Sequence, residues 1–209
     1  MNTKLMMSAV VAFGTIALVT GCGKDSEVAK NVEREVRTAQ IDDQWSAGCQ
    51  KSDIFGLTSE VVEFDKGASF SKTTTLYSSD NCGTPEVRVV ENGSADLGRE
   101  VSDNTFEFNQ SFDSVAITPV NEAGQKALNL VAACGFTDWQ VGIEKNVTAE
   151  SSNSPVLARC WTKTPRKVYD VVQVDGDQLR FGLEEDGKDK SAPAKRPTNI
   201  DQTITYSRK

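Results

Sequence analysis

The sequence predicts a mainly β domain, a barrel or sandwich of roughly ten short strands, interrupted by one α-helix. Three observations carry this. Several runs alternate apolar and polar residues with period two, the mark of a half-buried strand. Turn residues separate those runs. One segment, 119–133, gathers its apolar residues at helical spacing instead.

Near the start of the chain Lys4 precedes an apolar stretch from Leu5 to Val19, and the run Leu18-Val19-Thr20-Gly21-Cys22 follows at its end. The stretch falls short of the roughly 20 apolar residues a spanning helix needs. It has the length of a secretory signal, so it is set aside from the fold. A basic start, a short apolar run and small residues before a Cys form a bacterial lipoprotein signal. Processing is expected to remove residues 1–21 and leave Cys22 as a lipid-modified N-terminus, since two or more acyl chains anchor stably. The expected location is the bacterial cell envelope. Gly23 and Lys24 follow Cys22 without an Asp, which favours the outer membrane, at its periplasmic face or the cell surface. Residues 22–40 are polar, with only Val28, Val32 and Val36 at a spacing of four. They read as a tether that lifts a single domain, 41–209, off the membrane.

Within the domain the expected strands are Trp45–Cys49, Leu57–Phe64, Ser69–Tyr77, Glu86–Val90, Phe106–Phe108 and Phe112–Ile117. The clearest alternation is Trp139, Val141, Ile143, Lys145, Val147 against Gln140, Gly142, Glu144, Asn146, Thr148. Val168–Val174 and Leu179–Leu183 flank Asp175-Gly176-Asp177 and form a hairpin. Ile200, Ile204 and Tyr206 alternate with Asp201, Thr203 and Thr205 in the last strand. Between these, Ala123, Ala127, Leu130, Val131 and Cys134 share one helical face. Thr118 suits the cap, Pro119 the first turn and Gly135 the end. Residues 185–198 form a long charged loop, a lid or a solvated connection.

The chain has 209 residues and a formal net charge of -7, one unit more negative once Lys4 is removed. That balance argues against nucleic acid as a partner, since phosphate binding needs a basic face. It also argues against polybasic attachment to anionic lipid; simple solubility is the plainer meaning of the charge. Cys49, Cys82, Cys134 and Cys160 remain after Cys22. An even number in an oxidising compartment reads as two disulfides. A zinc site is disfavoured by the wide spacing and by the absence of His. Of three possible pairings, Cys49–Cys82 with Cys134–Cys160 is favoured, because strands one and three of an up-and-down meander end on the same side.

Three stretches resemble the bacterial lipocalin-like lipoproteins. Trp45 close to Cys49 resembles the N-terminal Trp of such barrels, although Asp43 stands where lipocalins usually place Gly. Ile117-Thr-Pro, Ala127-Leu128-Asn129, Cys134-Gly135 and Trp139 resemble a helix insertion with a Cys-Gly motif. Asp177-Gln-Leu179-Arg-Phe181-Gly182, Arg196-Pro197-Thr198 and Tyr206-Ser-Arg208 resemble the closing strands. A more distant similarity is to the extracellular barrel domain of a vertebrate Wnt-inhibitor family. The resemblance implies a closed antiparallel lipocalin-like barrel of roughly eight to ten strands, with one inserted α-helix and an internal cavity.

Catalytic chemistry finds little support. Without His there is no Ser-His-Asp or Cys-His machinery. Ser69-Phe-Ser-Lys72 and Ser102-Asp103-Asn104 match two β-lactamase motifs, but Lys163-Thr164 is followed by Pro165 rather than Gly. Ser69 also lies in an alternating strand, where Ser and Lys three positions apart point to opposite faces. Asp175 and Asp177 read as turn residues, and Glu184, Glu185 and Asp186 as a solvated run. Asn92-Gly93 reads as a turn and Asn146-Val-Thr148 as strand. No enzyme activity, cofactor or metal is expected. The strand aromatics are the best hint of binding: Trp45, Phe70, Phe108, Trp139, Phe181 and Tyr206, if they face inward, would line a site for a small apolar or amphipathic ligand. The alternative is a filled core, with loops that contact an envelope protein.

Overall fold

The computed structural model describes residues 40–52, 56–65, 69–79, 81–153, 160 and 163–209. The expected signal 1–21, the lipid-bearing Cys22 and all but the end of the tether 22–40 lie outside the described residues. Nine strands follow in chain order: β1 (Asp43–Ser52), β2 (Gly56–Asp65), β3 (Ser69–Tyr77), β4 (Pro85–Ser102), β5 (Thr105–Pro119), β6 (Lys145–Asn146), β7 (Arg166–Asp175), β8 (Gln178–Phe181) and β9 (Tyr206–Arg208). Between β5 and β7 lie α1 (Glu122–Leu130) and α2 (Thr148–Asn153).

All pairings are antiparallel. Around the sheet the order is β4-β3-β2-β1-β9-β8-β7-β5, and β5 returns to β4, so eight strands close a barrel and leave no open edge. β6 is an extra strand that pairs with the end of β5 through Ala116 and Ile117. The expectation of a mainly β, closed antiparallel barrel with roughly eight to ten strands and an inserted helix therefore holds. The thinnest seam is β1–β9, with two residue pairs, Trp45 with Arg208 and Ser46 with Ser207. Side chains reinforce it: the Arg208 guanidinium lies 4.5 Å over the Trp45 ring and pairs with Asp43 at 3.2 Å.

Two strands are far longer than their sequence suggests. Asn92-Gly93 is no turn; β4 runs straight through it. β5 joins the two segments read as separate strands. Opposite Gly93, β5 carries one extra residue, Asp113, and the bulge keeps both strands in register on either side. A Cβ on Gly93 would sit 1.7 Å from the Ser111 carbonyl, so the close approach requires glycine there. Ser102 pairs with Thr105, which makes Asp103-Asn104 the two-residue turn of this hairpin.

The insertion departs most from expectation. The Trp139–Thr148 alternation is not a strand beyond Lys145–Asn146. Gly142 donates to the Pro119 carbonyl at 2.8 Å, Ile143 to Gln140 at 3.1 Å, and the segment turns. Trp139 and Val147 are buried, while Val141 and Ile143 face solvent. Thr118 and Pro119 end β5 rather than start the helix. Asn121 caps α1 instead, accepting from the Gly124 amide at 2.8 Å. The expected apolar helix face is also overturned: Leu130 is 83% exposed and Val131 53%. α1 docks through Gly124, where a Cβ would lie 2.0 Å from the Glu86 carbonyl. In the last strand only Tyr206–Arg208 forms a ladder, with Ile200 making a single bridge to Gly182.

Two apolar clusters result. One fills the end of the barrel where β1 starts and β7 ends, with Ile41, Trp45, Phe64, Leu97, Phe106, Phe108, Val172 and Leu179. The other lies under the insertion, with Val87, Val89, Val115, Ile117, Cys134, Trp139 and Val147. One face of β4 serves both, since Val87, Val89, Glu91, Ala95 and Leu97 are in phase. The disulfides are Cys49–Cys82 and Cys134–Cys160, the favoured pairing. The first ties the end of β1 to the loop after β3; the second staples the insertion.

Candidate functional site: a charged chamber above an aromatic floor

Strand periodicity aims every second side chain inward. Along β2 that series is Phe64, Val62, Glu60, Thr58; along β3 it is Phe70, Lys72, Thr74, Leu76; along β7 it is Val174, Val172, Asp170, Val168, Arg166. Each series starts apolar and turns polar at the same height. A belt of charge thus rings the interior between the two apolar clusters.

The belt encloses a cavity of about 410 Å³, lined by Val62, Phe70, Phe112, Val168, Phe181 and Ile204 on its apolar side. Glu60, Lys72, Gln110, Arg166, Asp170, Glu184, Lys190, Asp201 and Tyr206 supply the polar side. A second cavity of about 310 Å³ adjoins it, toward Lys51, Thr58, Thr74 and Glu91, and shares Glu60, Lys72, Arg166 and Ile204. The combined space is of the size that small-molecule sites occupy, roughly 300–1,000 Å³.

Three ion pairs organise the belt. Lys72 Nζ lies 2.9 Å from Glu60 Oε1, and the Tyr206 hydroxyl donates to the other Glu60 oxygen. Burial pushes the Glu60 carboxyl up, but the Lys72 charge and hydrogen bonds from Tyr206, Lys72 and Thr74 outweigh it and hold the group below its ordinary value. Tyr206 is driven the other way: burial, then the Glu60 charge, keep its phenol protonated. Arg166 NH1 lies 2.6 Å from Glu91 Oε1 and 3.4 Å from Thr164 Oγ1, with its guanidinium 3.9 Å over the Phe112 ring.

The third pair is Lys190 with Asp170, at 2.9 Å. Asp170 Oδ1 also accepts from the Val171 and Gly182 amides, at 2.8 and 3.1 Å. Burial nevertheless dominates and raises the Asp170 carboxyl above its ordinary value, against the pull of Lys190 and these donors. Lys190 belongs to the long charged loop, which here forms part of the chamber wall. Arg196 fixes the same loop by donating to the Phe108 carbonyl at 3.0 Å, to Asn109 Oδ1 at 2.8 Å and to the Asp170 carbonyl.

Of the six aromatics expected to line a site, Phe70, Phe181 and Tyr206 do. Trp45 and Phe108 are wholly buried in the filled floor below. Trp139 lies in the other cluster, its Nε1 donating to the Ala133 carbonyl at 3.3 Å and its ring against Phe136. The charged groups of the belt are what a reading of aromatics alone passes over, and their in-phase positions were the available signal. Ser69 and Lys72 do point to opposite faces of β3. Among the described residues no three carboxylates or thiolates cluster as a metal site.

No family model matches this sequence. No curated protein matches it either.

Proposed function

We propose that this chain is a non-enzymatic, lipid-anchored protein of the bacterial cell envelope whose barrel binds a small amphipathic molecule. The observation that carries the reading is the chamber of about 410 Å³, with phenylalanines on one side and ion pairs on the other. An interior filled to crystal density throughout would have no such space. The filled aromatic floor argues against a long acyl chain that threads the whole barrel, and for a compact ligand with one apolar and one polar side. The Leu18–Cys22 ending supports attachment through a lipid on Cys22, with the outer membrane as the preferred site.

Native mass spectrometry of residues 41–209, produced in an oxidising compartment, tests the binding reading. A co-purified small adduct, or one taken up from an envelope extract, is expected; a clean mass after exposure to the extract refutes it. Metabolic labelling with a fatty acid tests the anchor, because Cys22→Ser should abolish the label.

One observation favours a second reading, a module that contacts an envelope protein. Leu130, Val131, Val141 and Ile143 expose apolar side chains on the insertion, where Asn129 brackets Trp139 with hydrogen bonds of 2.8 and 3.2 Å. Charged replacements there should leave ligand uptake intact and abolish such a contact.

A further inference from the structure

Arg166 is held by one edge. Its NH1 is engaged by Glu91 and Thr164, and its plane is fixed against Phe112. Among the described residues its Nε and NH2 make no hydrogen bond or ion pair, and the side chain keeps 24% exposure beside both cavities. A guanidinium offers its donors as a planar fork that fits an oxyanion at two points. Stacking on a ring pre-orders that fork, so little rotamer entropy is lost when a ligand docks.

The charges of the smaller cavity point the same way. The smaller cavity is lined by three cations, Lys51, Lys72 and Arg166, against two carboxylates, Glu60 and Glu91. Both carboxylates are already engaged, Glu60 by Lys72 and Tyr206 and Glu91 by Arg166. In the larger cavity Asp170 is held by Lys190 and Asp201 accepts from Thr203, while Glu184 is exposed to solvent; a ligand anion in the smaller cavity meets the Nε and NH2 of Arg166. The larger cavity continues from the same arginine along Phe70, Phe112 and Phe181.

We infer that the chamber is built for an amphipathic anion, with a carboxylate or phosphate-type group anchored on Arg166 and a compact apolar body on the phenylalanines. This rests on the reading of the barrel as a binding module and names the chemistry of its ligand.

Calorimetry on the full chain in a mild detergent tests it, with phenylbutyrate, neutral phenylbutyramide and phenylpropylphosphonate as probes. At least one anion should bind tenfold or more tighter than the amide. Arg166→Lys keeps a charge opposite Glu91 but loses the fork and the stack. It should cut anion affinity about tenfold, or 1.4 kcal/mol, and leave the amide unchanged. Because Glu91 is buried, the paired variant Glu91→Gln with Arg166→Gln removes both charges together, and its melting curve tests whether it folds. Equal affinity for the amide and both anions, or anion affinity untouched in folded variants, overturns the inference while the binding reading stands. Uptake of none of the three probes overturns both. The ratio of carboxylate to phosphonate affinity distinguishes the two sources of the anion.

Discussion

Phe108→Ala measures whether the barrel floor is as full as its geometry indicates. Phe108 has no exposed surface. Its ring meets Phe64 edge-on at 5.8 Å, Phe70 at 6.5 Å and Phe181 at 5.9 Å. Removing a buried Phe costs about 3–5 kcal/mol, which combines lost transfer energy with the cavity left behind. Aromatic pairs add about 0.5–1.5 kcal/mol each beyond their area. The three contacts place Phe108→Ala toward the upper end, at roughly 4–5 kcal/mol. In a domain of 150–250 residues each kcal/mol moves the melting temperature by about 2–4 °C, so a fall of roughly 8–20 °C is expected. Urea unfolding should show a lower midpoint with an unchanged slope. Phe181→Ala is the internal control, since Phe181 already borders open space and should cost about half as much. A loss below about 1.5 kcal/mol for Phe108→Ala, or equal losses for the two variants, would mean that the floor is not filled and that the chamber runs the length of the barrel.

Other outcomes follow from the same contacts. Gly124→Ala should destabilise by about 1–3 kcal/mol in urea, although Ala is the better helix former, because a Cβ there meets the Glu86 carbonyl at 2.0 Å; a stabilised variant would refute the docking of α1. Replacing Cys134 and Cys160 together by Ala opens a link across 26 residues, worth about 3–4 kcal/mol by chain entropy. With Trp45 and Trp161 replaced by Phe, Trp139 fluorescence should then shift to the red at lower denaturant than the loss of strand signal, and coincident transitions would argue against a separately held insertion. The Glu60 carboxyl lies below its ordinary value of 4.5 in the folded chain. Its stabilisation is therefore complete above about pH 4.5 and is lost as pH falls through the folded value. Glu60→Gln should flatten the acid limb of stability against pH, and an unchanged limb would exclude the pair with Lys72 as its source. Asp170 carries the opposite sign. Its raised carboxyl favours the folded state as pH falls toward 3.8, so Asp170→Asn should remove a gain on acidification rather than a loss.

The elements that were legible share a physical reason. β2, β3, β7 and β8 alternate with period two between turn-forming residues of the sequence, so local pattern and final pairing agree. The disulfides followed from the meander, since chain direction alone puts the ends of β1 and β3 on one side. β4 and β5 were legible only in pieces. Asn92-Gly93 has the local chemistry of a turn, yet the glycine serves a close approach to Ser111 across a bulge, and nothing within β4 itself announces that neighbour. The Trp139–Thr148 run failed for the converse reason. Its alternation is genuine, but β5 offers only Ala116 and Ile117 as pairing partners there, and a strand without a partner leaves its backbone groups unsatisfied.

The sequence by itself determined the class of the fold: four cysteines for two bridges, an acidic balance and alternation that commits the chain to antiparallel sheet. These are properties of composition and of neighbours two to four residues apart. Only the tertiary structure decided how the interior is arranged. Glu60, Lys72, Glu91, Arg166 and Asp170 lie on four different strands, and read singly each looks like a solvent-facing charge. Barrel closure brings them to one height and takes them out of bulk water. Each carboxylate must then find its cation, and among the described residues Arg166 is engaged through NH1 alone, beside both cavities.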